Sequence, residues 1–206
     1  MSALDLVEER IDVCGRRLSL LRPRDPEALL DEEAFEHEEF LPYWAELWPA
    51  SVALACAVSA LRVRGLRVIE LGCGLALPSI VAALGGAEVQ ATDWSPDAIR
   101  AAALNAERNG ARVATELVSW ADPEPLLAGA PWDVVLGSDL LYERRNVEEL
   151  LELLPRLVEG GRGEVLLADP GRPLEPEFLE RAAAGVWQIT SEPGGLQRVR
   201  LHRLRR

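Results

Sequence analysis

Three groups of residues in this chain have the types and the spacing to do chemistry. The first is Val68-Ile-Glu-Leu-Gly-Cys-Gly-Leu-Ala-Leu-Pro78, an apolar run that breaks at Gly72 and Gly74 and resumes as a helix. Glycines there let the main chain turn sharply and approach a ligand, and the free N–H groups of the following helix point at the same place. About twenty residues further on, Glu88-Val-Gln-Ala-Thr-Asp93 is a second strand that ends in a carboxylate, the spacing at which an acid grips a ribose diol. The pair reads as a nucleoside-binding βαβ unit. The second group is Asp139 and Tyr142, in Ser138-Asp-Leu-Leu-Tyr142 at the end of another apolar strand. The third is Leu41-Pro-Tyr-Trp-Ala-Glu-Leu-Trp-Pro-Ala-Ser51, which concentrates Tyr43, Trp44 and Trp48 just ahead of an apolar helix. A proline-flanked segment is a costly place to bury three aromatics for packing alone, so they are either core or a binding wall.

Details of the first group select the nucleoside. A dinucleotide fingerprint wants a third glycine where this chain has Leu77, and it has no need of an acid at Glu70. Both points disfavour a nicotinamide-dependent oxidoreductase. An acid just before the glycines suits a ligand with a cationic amino-acid end, a description that fits S-adenosylmethionine. These residues resemble motif I of the seven-strand (class I) methyltransferases, with Ala76 in place of a glycine common in that family.

The resemblance extends over residues 41–172. The Trp48-Pro49 entry and the Asp139-x-x-Tyr142 run resemble the lysine methyltransferase subfamily that includes the calmodulin and electron-transfer-flavoprotein enzymes, and Asp169-Pro-Gly-Arg172 resembles a loop of the flavoprotein-directed branch. Amide- and adenine-directed methyltransferases instead carry an Asn-Pro-Pro-Tyr-like run after the fourth strand. The resemblance implies direct in-line methyl transfer to a lysine nitrogen of a protein, with a small-molecule N- or O-methyltransferase as the alternative. Asp139 and Tyr142 are then the expected catalytic pair. Trp48, Glu70, Gly72 and Gly74 are expected at the cofactor, together with Asp93, Trp94, Trp120 and Ser138. Tyr43, Trp44 and Arg172 are expected at the substrate entrance. Two of these readings stay open: Glu70 either touches the ligand or orients the glycine loop, and Arg172 either meets substrate or is exposed on a turn.

The elements that must position these groups alternate in type. Residues 9–21 read as a hairpin around Cys14-Gly15, residues 51–61 as a helix, and residues 88–93 as a strand. Pro96 at the first turn and Ser95 as its cap start a helix that Gly110 stops. Strands follow at 113–118, 132–139 and 164–168, helices at 146–158 and 176–184, and a closing antiparallel hairpin at 186–191 and 197–204. Asn105 and Arg108 are expected as exposed polar positions. The whole describes an α/β fold, a doubly wound, mostly parallel seven-stranded Rossmann-like sheet with an antiparallel C-terminal hairpin and an N-terminal hairpin extension. At 206 residues it is expected to be one domain, with residues 1–49 as hairpin and entrance segment and 50–206 as the cofactor-binding and catalytic core.

Composition narrows the partners. The chain holds 22 arginines and no lysine against 34 acids, a formal charge of −12. Such a surface opposes nucleic-acid phosphates and suits a basic partner, such as a protein with an exposed lysine. The run Asp31-Glu-Glu-Ala-Phe-Glu-His-Glu-Glu reads as a solvated face, with His37 at the surface. Cys14, Cys56 and Cys73 are an odd number without metal-ligand spacing, so neither a disulfide framework nor a metal site is expected. With no membrane-length apolar run and no leader-like start, the expectation is a soluble cytoplasmic protein without a membrane partner.

Overall fold

Five runs become the parallel strands of a central sheet with helices on both faces: residues 68–71, 134–137 and 165–169 are continuously buried, whereas residues 88–93 begin in alternation and residues 113–117, at the sheet edge, are only partly buried. The computed structural model describes residues 5–29, 42–158, 163–196 and 198–206. The acidic run with His37, and the glycines at 160 and 161, lie outside the described residues. The sheet strands are β3 (Arg67–Leu71), β4 (Glu88–Asp93), β5 (Val113–Leu117), β6 (Val134–Ser138), β7 (Glu164–Asp169), β8 (Gln188–Pro193) and β9 (Arg200–Arg205). Their spatial order is β5-β4-β3-β6-β7-β9-β8, with β9 antiparallel to both β7 and β8. The expected seven-stranded, mostly parallel fold is therefore present, and its strand order reverses between β3 and β6. A cleft opens outside the carboxyl ends of the strands at such a reversal.

Alternation along the strands feeds two cores. Val68, Leu136 and Leu166 point to the face covered by α1 (Pro49–Ser59) and α2 (Leu77–Leu84). Ile69, Leu71, Val135 and Leu167 point to the other, where α5 (Arg144–Leu157) contributes Leu150 and Leu154 and α6 (Glu175–Ala184) contributes Phe178. The helix α3 (Pro96–Arg108) follows β4 and is capped as its sequence predicts, with Ser95 Oγ accepting from Ala98 N at 3.3 Å. A short helix, α4 (Glu124–Ala128), was not foreseen. It lies in a stretch with no helical periodicity long enough to register.

Before the sheet, β1 (Leu6–Val13) and β2 (Arg16–Pro23) form the expected hairpin, turning at Cys14 and Gly15, both with positive φ. Val13, Leu18 and Leu20 pack into the core beside α1. Two expectations are corrected here. Asn105 is fully buried rather than exposed: its side chain accepts from Leu21 N at 2.6 Å and donates to Leu21 O at 3.1 Å and to Leu75 O at 3.2 Å. One turn later, Asn109 does the same for Ser19 N and Ser19 O, at 3.0 and 2.8 Å. These amides satisfy the free edge of β2, which would otherwise present unpaired backbone groups. The second correction is that Cys14 and Cys56 form a disulfide across 42 residues, with Cα atoms 5.6 Å apart, because the hairpin turn lands on α1. Cysteine spacing carries no signal for a contact made only by packing.

Candidate active site

The glycine turn takes its shape from Asp93 and Thr92. Gly72 and Gly74 adopt φ of 59° and 49°, which a side chain resists. The Asp93 carboxylate accepts from Gly74 N with one oxygen and from Ser95 N with the other, both at 2.9 Å, while Cys73 N donates to Thr92 O. One carboxylate thus ties the loop after β3 to the loop after β4. Burial raises the Asp93 pKa, against these backbone hydrogen bonds. Ala76, where relatives of motif I carry glycine, also adopts a left-handed conformation, with φ 59°, and caps α2 without a side-chain bond.

Glu70 lies behind this turn. Its side chain points to the α2 face of β3, accepts from Ser79 N at 2.9 Å and Ser79 Oγ at 2.5 Å, and leaves Oε1 without a hydrogen-bond partner. Full burial pushes its pKa up to about 8, so at neutral pH it is mostly a neutral acid holding the start of α2. Of the two sequence readings, the loop-orienting one describes the position observed. Glu70 does not line the cavity.

That cavity, of about 520 Å³, opens at the carboxyl ends of β3, β4, β5 and β6. Gly72, Gly74, Asp93, Trp94, Trp120 and Ser138 line it. The Trp120 ring lies over Gly72, 3.6 Å from where a Cβ would stand; it is partly buried, lining the cavity while packing against the core behind it. The lining also includes Tyr43, Trp44, Trp48, Asp139, Tyr142 and Arg172. Trp44 crosses Gly74 with its backbone. Trp48 Nε1 donates to Tyr43 O at 2.7 Å, and the Tyr43 ring stands 5.4 Å from that of Tyr142. Asp139 ends β6 with φ 57°, a conformation that aspartate tolerates better than most residues, and its N–H donates to Ala168 O. Its carboxylate takes Nε and Nη2 of Arg172 at 2.7 and 2.9 Å. Asp169 holds the loop that presents this arginine, accepting from Gly171 N and Arg172 N.

The fold brings twelve of the thirteen expected site residues to one cavity, Glu70 being the exception. Sequence reasoning missed Asn146, which donates to Leu140 O at 2.9 Å and hydrogen-bonds Tyr142. It also missed Glu143 and Glu149 at the cavity mouth. The three fall within the cap and first two turns of the helix that starts just after Tyr142, the only signal available. Burial raises the Tyr142 pKa, so its hydroxyl stays protonated near neutral pH. Among the described residues, no group of three or more His, Cys, Asp or Glu could hold a metal, and no helix is long and apolar enough to cross a membrane.

A doubly wound sheet with a glycine turn after one strand, an acid ending the next and an open cleft at the strand-order reversal has the architecture of the class I methyltransferases. A model of the lysine methyltransferase family matches residues 38–183, and the chain belongs to that family. It is 34% identical over 159 residues to the electron transfer flavoprotein beta subunit lysine methyltransferase of Xenopus laevis, covering 76% of this chain and 63% of that protein. It is 35% identical over 123 residues to the protein N-lysine methyltransferase METTL21A of Danio rerio, covering 56% of each. The chain thus spans about three fifths of the length of these relatives. Among solved structures it resembles a ribosomal protein L11 methylase from Lactobacillus delbrueckii subsp. bulgaricus, with a TM-score of 0.59, 25% identity and coverage of 76% and 78% of the two chains. A magnesium protoporphyrin IX methyltransferase from Synechocystis PCC 6803 with bound SAM shares the fold, with a TM-score of 0.62 at 18% identity over 87% of this chain and 99% of that one.

Proposed function

We propose that this protein is an S-adenosylmethionine-dependent methyltransferase that acts on a lysine side chain of a protein, with residues 1–206 working as one unit. Bound S-adenosylmethionine would supply an electrophilic methyl group on a sulfonium. The cavity fits it: Asp93 is poised for the ribose hydroxyls, Gly72 and Gly74 give close main-chain approach, Trp120 offers a face for adenine, and Trp94 and Ser138 border the same space.

The observation that carries the lysine reading is Asp139, a carboxylate with a 6% exposed side chain that lines the same cavity as Trp48, Tyr43 and Tyr142. A carboxylate that shares a cavity with aromatic rings suits a cationic amine. The ammonium must first lose a proton to solvent, a loss that the nearby sulfonium favours by disfavouring a second positive charge, and Asp139 would then hold the neutral amine in line by accepting its hydrogen bond. Tyr142, protonated and braced by Asn146, would position rather than deprotonate it. Glu46, Glu143 and Glu149 line the cavity together with Arg145, which pairs with Glu143, and this acidic excess with the charge of −12 suits a basic protein surface around the target rather than a nucleic acid.

The test is single-turnover transfer from saturating labelled cofactor to protein acceptors. Asp139→Asn is expected to keep cofactor affinity and lose most transfer, and Tyr142→Phe to lose less, about 0.5–1.5 kcal/mol in the barrier. Transfer by Asp139→Asn at the wild-type rate would rule out this mechanism and favour an acceptor whose nucleophile needs no carboxylate.

A further inference from the structure

In a receptor built for a cationic side chain, the cation that occupies it here is the protein's own. Arg172 donates two parallel hydrogen bonds to Asp139, from Nε to Oδ1 at 2.7 Å and from Nη2 to Oδ2 at 2.9 Å, and its guanidinium carbon lies 5.9 Å from the Trp48 ring centre. Trp48 in turn neighbours Tyr43 at 6.4 Å between ring centres, and Tyr43 neighbours Tyr142. The guanidinium therefore holds the carboxylate and aromatic contacts that an acceptor ammonium would need. The two cannot hold both Asp139 oxygens at once.

The pairing is also built to open. The Arg172 backbone is anchored separately, its N–H and that of Gly171 both bonded to Asp169 Oδ1 at 2.7 and 2.8 Å. Gly171 has φ 88° and open space around it. The Arg172 side chain is 34% exposed while that of Asp139 is 6% exposed, so the guanidinium can swing outward about its own side-chain torsions and leave the loop in place. Leaving Asp139 buried without a partner would be costly, which favours a direct exchange of one cation for another.

Resting on the lysine reading above, we propose that Arg172 is a resident guest of the acceptor site: its guanidinium occupies the Asp139 receptor until an incoming alkylammonium side chain displaces it. The exchange breaks and forms only hydrogen bonds and keeps the charge at Asp139 balanced. It selects for acceptors. A free amine has nothing but the cage with which to compete, whereas a protein brings further contacts at the acidic mouth.

The probes are methylguanidinium and n-butylammonium, titrated by calorimetry into the wild type and Arg172→Ala, each saturated with S-adenosylhomocysteine. If the guest fills the cage most of the time, its removal should tighten binding of both probes by about tenfold or more. Asp139→Asn in the Arg172→Ala background should abolish the gain. Arg172→Gln, which keeps most of the aliphatic stem without the guanidinium charge, should show the same gain and guards against local collapse in the alanine variant. Equal probe affinity in all three proteins would overturn the proposal. So would loss of lysine methylation in Arg172→Ala that methylguanidinium restores, since that marks a positioning arginine that must stay in place. Probe binding needs no methyl acceptor, so the two readings fail separately. A gain without any lysine methylation by the wild type would sink the proposed function and keep the guest. Lysine methylation without the gain would do the reverse.

Discussion

Replacing Glu70 with glutamine should flatten the pH dependence of this protein's stability. The carboxyl is fully buried, and desolvation, offset only in part by the hydrogen bonds from Ser79, raises its pKa from the usual 4.5 to about 8. Between those values the folded protein keeps a proton that the unfolded chain has released. The stability contributed by this group is therefore fully present below about pH 4.5 and is lost as pH rises to about 8, at about 1.4 kcal/mol per pH unit. From about pH 5 to about pH 9 the loss comes to about 4 kcal/mol. Asp93, Asp169 and Glu175 are raised in the same direction, chiefly by burial, but they are common to both proteins and largely cancel in the comparison. Glutamine imitates the protonated acid, so its oxygen can still accept from Ser79 and its stability lacks this slope. Urea unfolding without cofactor, followed by tryptophan fluorescence at about pH 5, 7 and 9, reads the difference. With an m-value of about 2–3 kcal/mol per M, the wild-type midpoint should fall about 1.3–2 M further than that of the variant. Parallel midpoints in the two proteins would refute the assignment of a buried, neutral Glu70.

Asp93→Ala should weaken S-adenosylmethionine binding by at least about tenfold in calorimetry, because a charge-assisted contact is worth about 1.5–3 kcal/mol and the Gly74 anchor goes with it. Unchanged affinity would remove Asp93 from the cofactor site. Asn105→Ala strips partners from Leu21 N, Leu21 O and Leu75 O and should cost about 2–4 kcal/mol, a drop of roughly 5–10 °C in Tm. A melting curve within about a degree of wild type would show that these backbone groups do not depend on it. Opening the 42-residue loop closed by Cys14 and Cys56 should cost about 4 kcal/mol on the chain-entropy model. A reductant should then lower the unfolding midpoint of the wild type and leave that of Cys56→Ser where it is; equal responses would contradict this.

The parts of the molecule that were legible in the sequence are those whose cause is local. Ser95 and Pro96 start α3 as expected, β4 begins and ends where its alternation does, and Asp93 reaches the glycine turn because strand length and βαβ handedness leave it nowhere else to go. Glu70 shows where such reasoning stops. Its place in the strand was readable, but whether it met ligand or helix depended on Ser79 standing above it. Asn105 and the Cys14–Cys56 pair depend on the docking of the hairpin, a contact between segments far apart in the chain that periodicity does not record. The Asp139–Arg172 pair joins two loops 33 residues apart, and only the shared sheet edge makes them neighbours. The final strands start two to three residues later than expected, since the pairing of β8 with β9, rather than apolar content, decides where they begin.

The two asparagines on α3 make that helix a gauge for the hairpin. Residues four apart on a helix are separated by about 6 Å along its axis, and residues two apart on a strand by about 6.8 Å, so the two repeats are nearly commensurate over one step. Asn105 and Asn109 take up that step against Leu21 and Ser19. A two-stranded ribbon alone can slide by one residue, which would turn Leu18 and Leu20 away from the core. The outward-facing backbone groups of β2 alternate, so after such a slide neither amide would meet a free edge group. The helix that follows Asp93 thereby also fixes the register of a ribbon placed some eighty residues earlier in the chain.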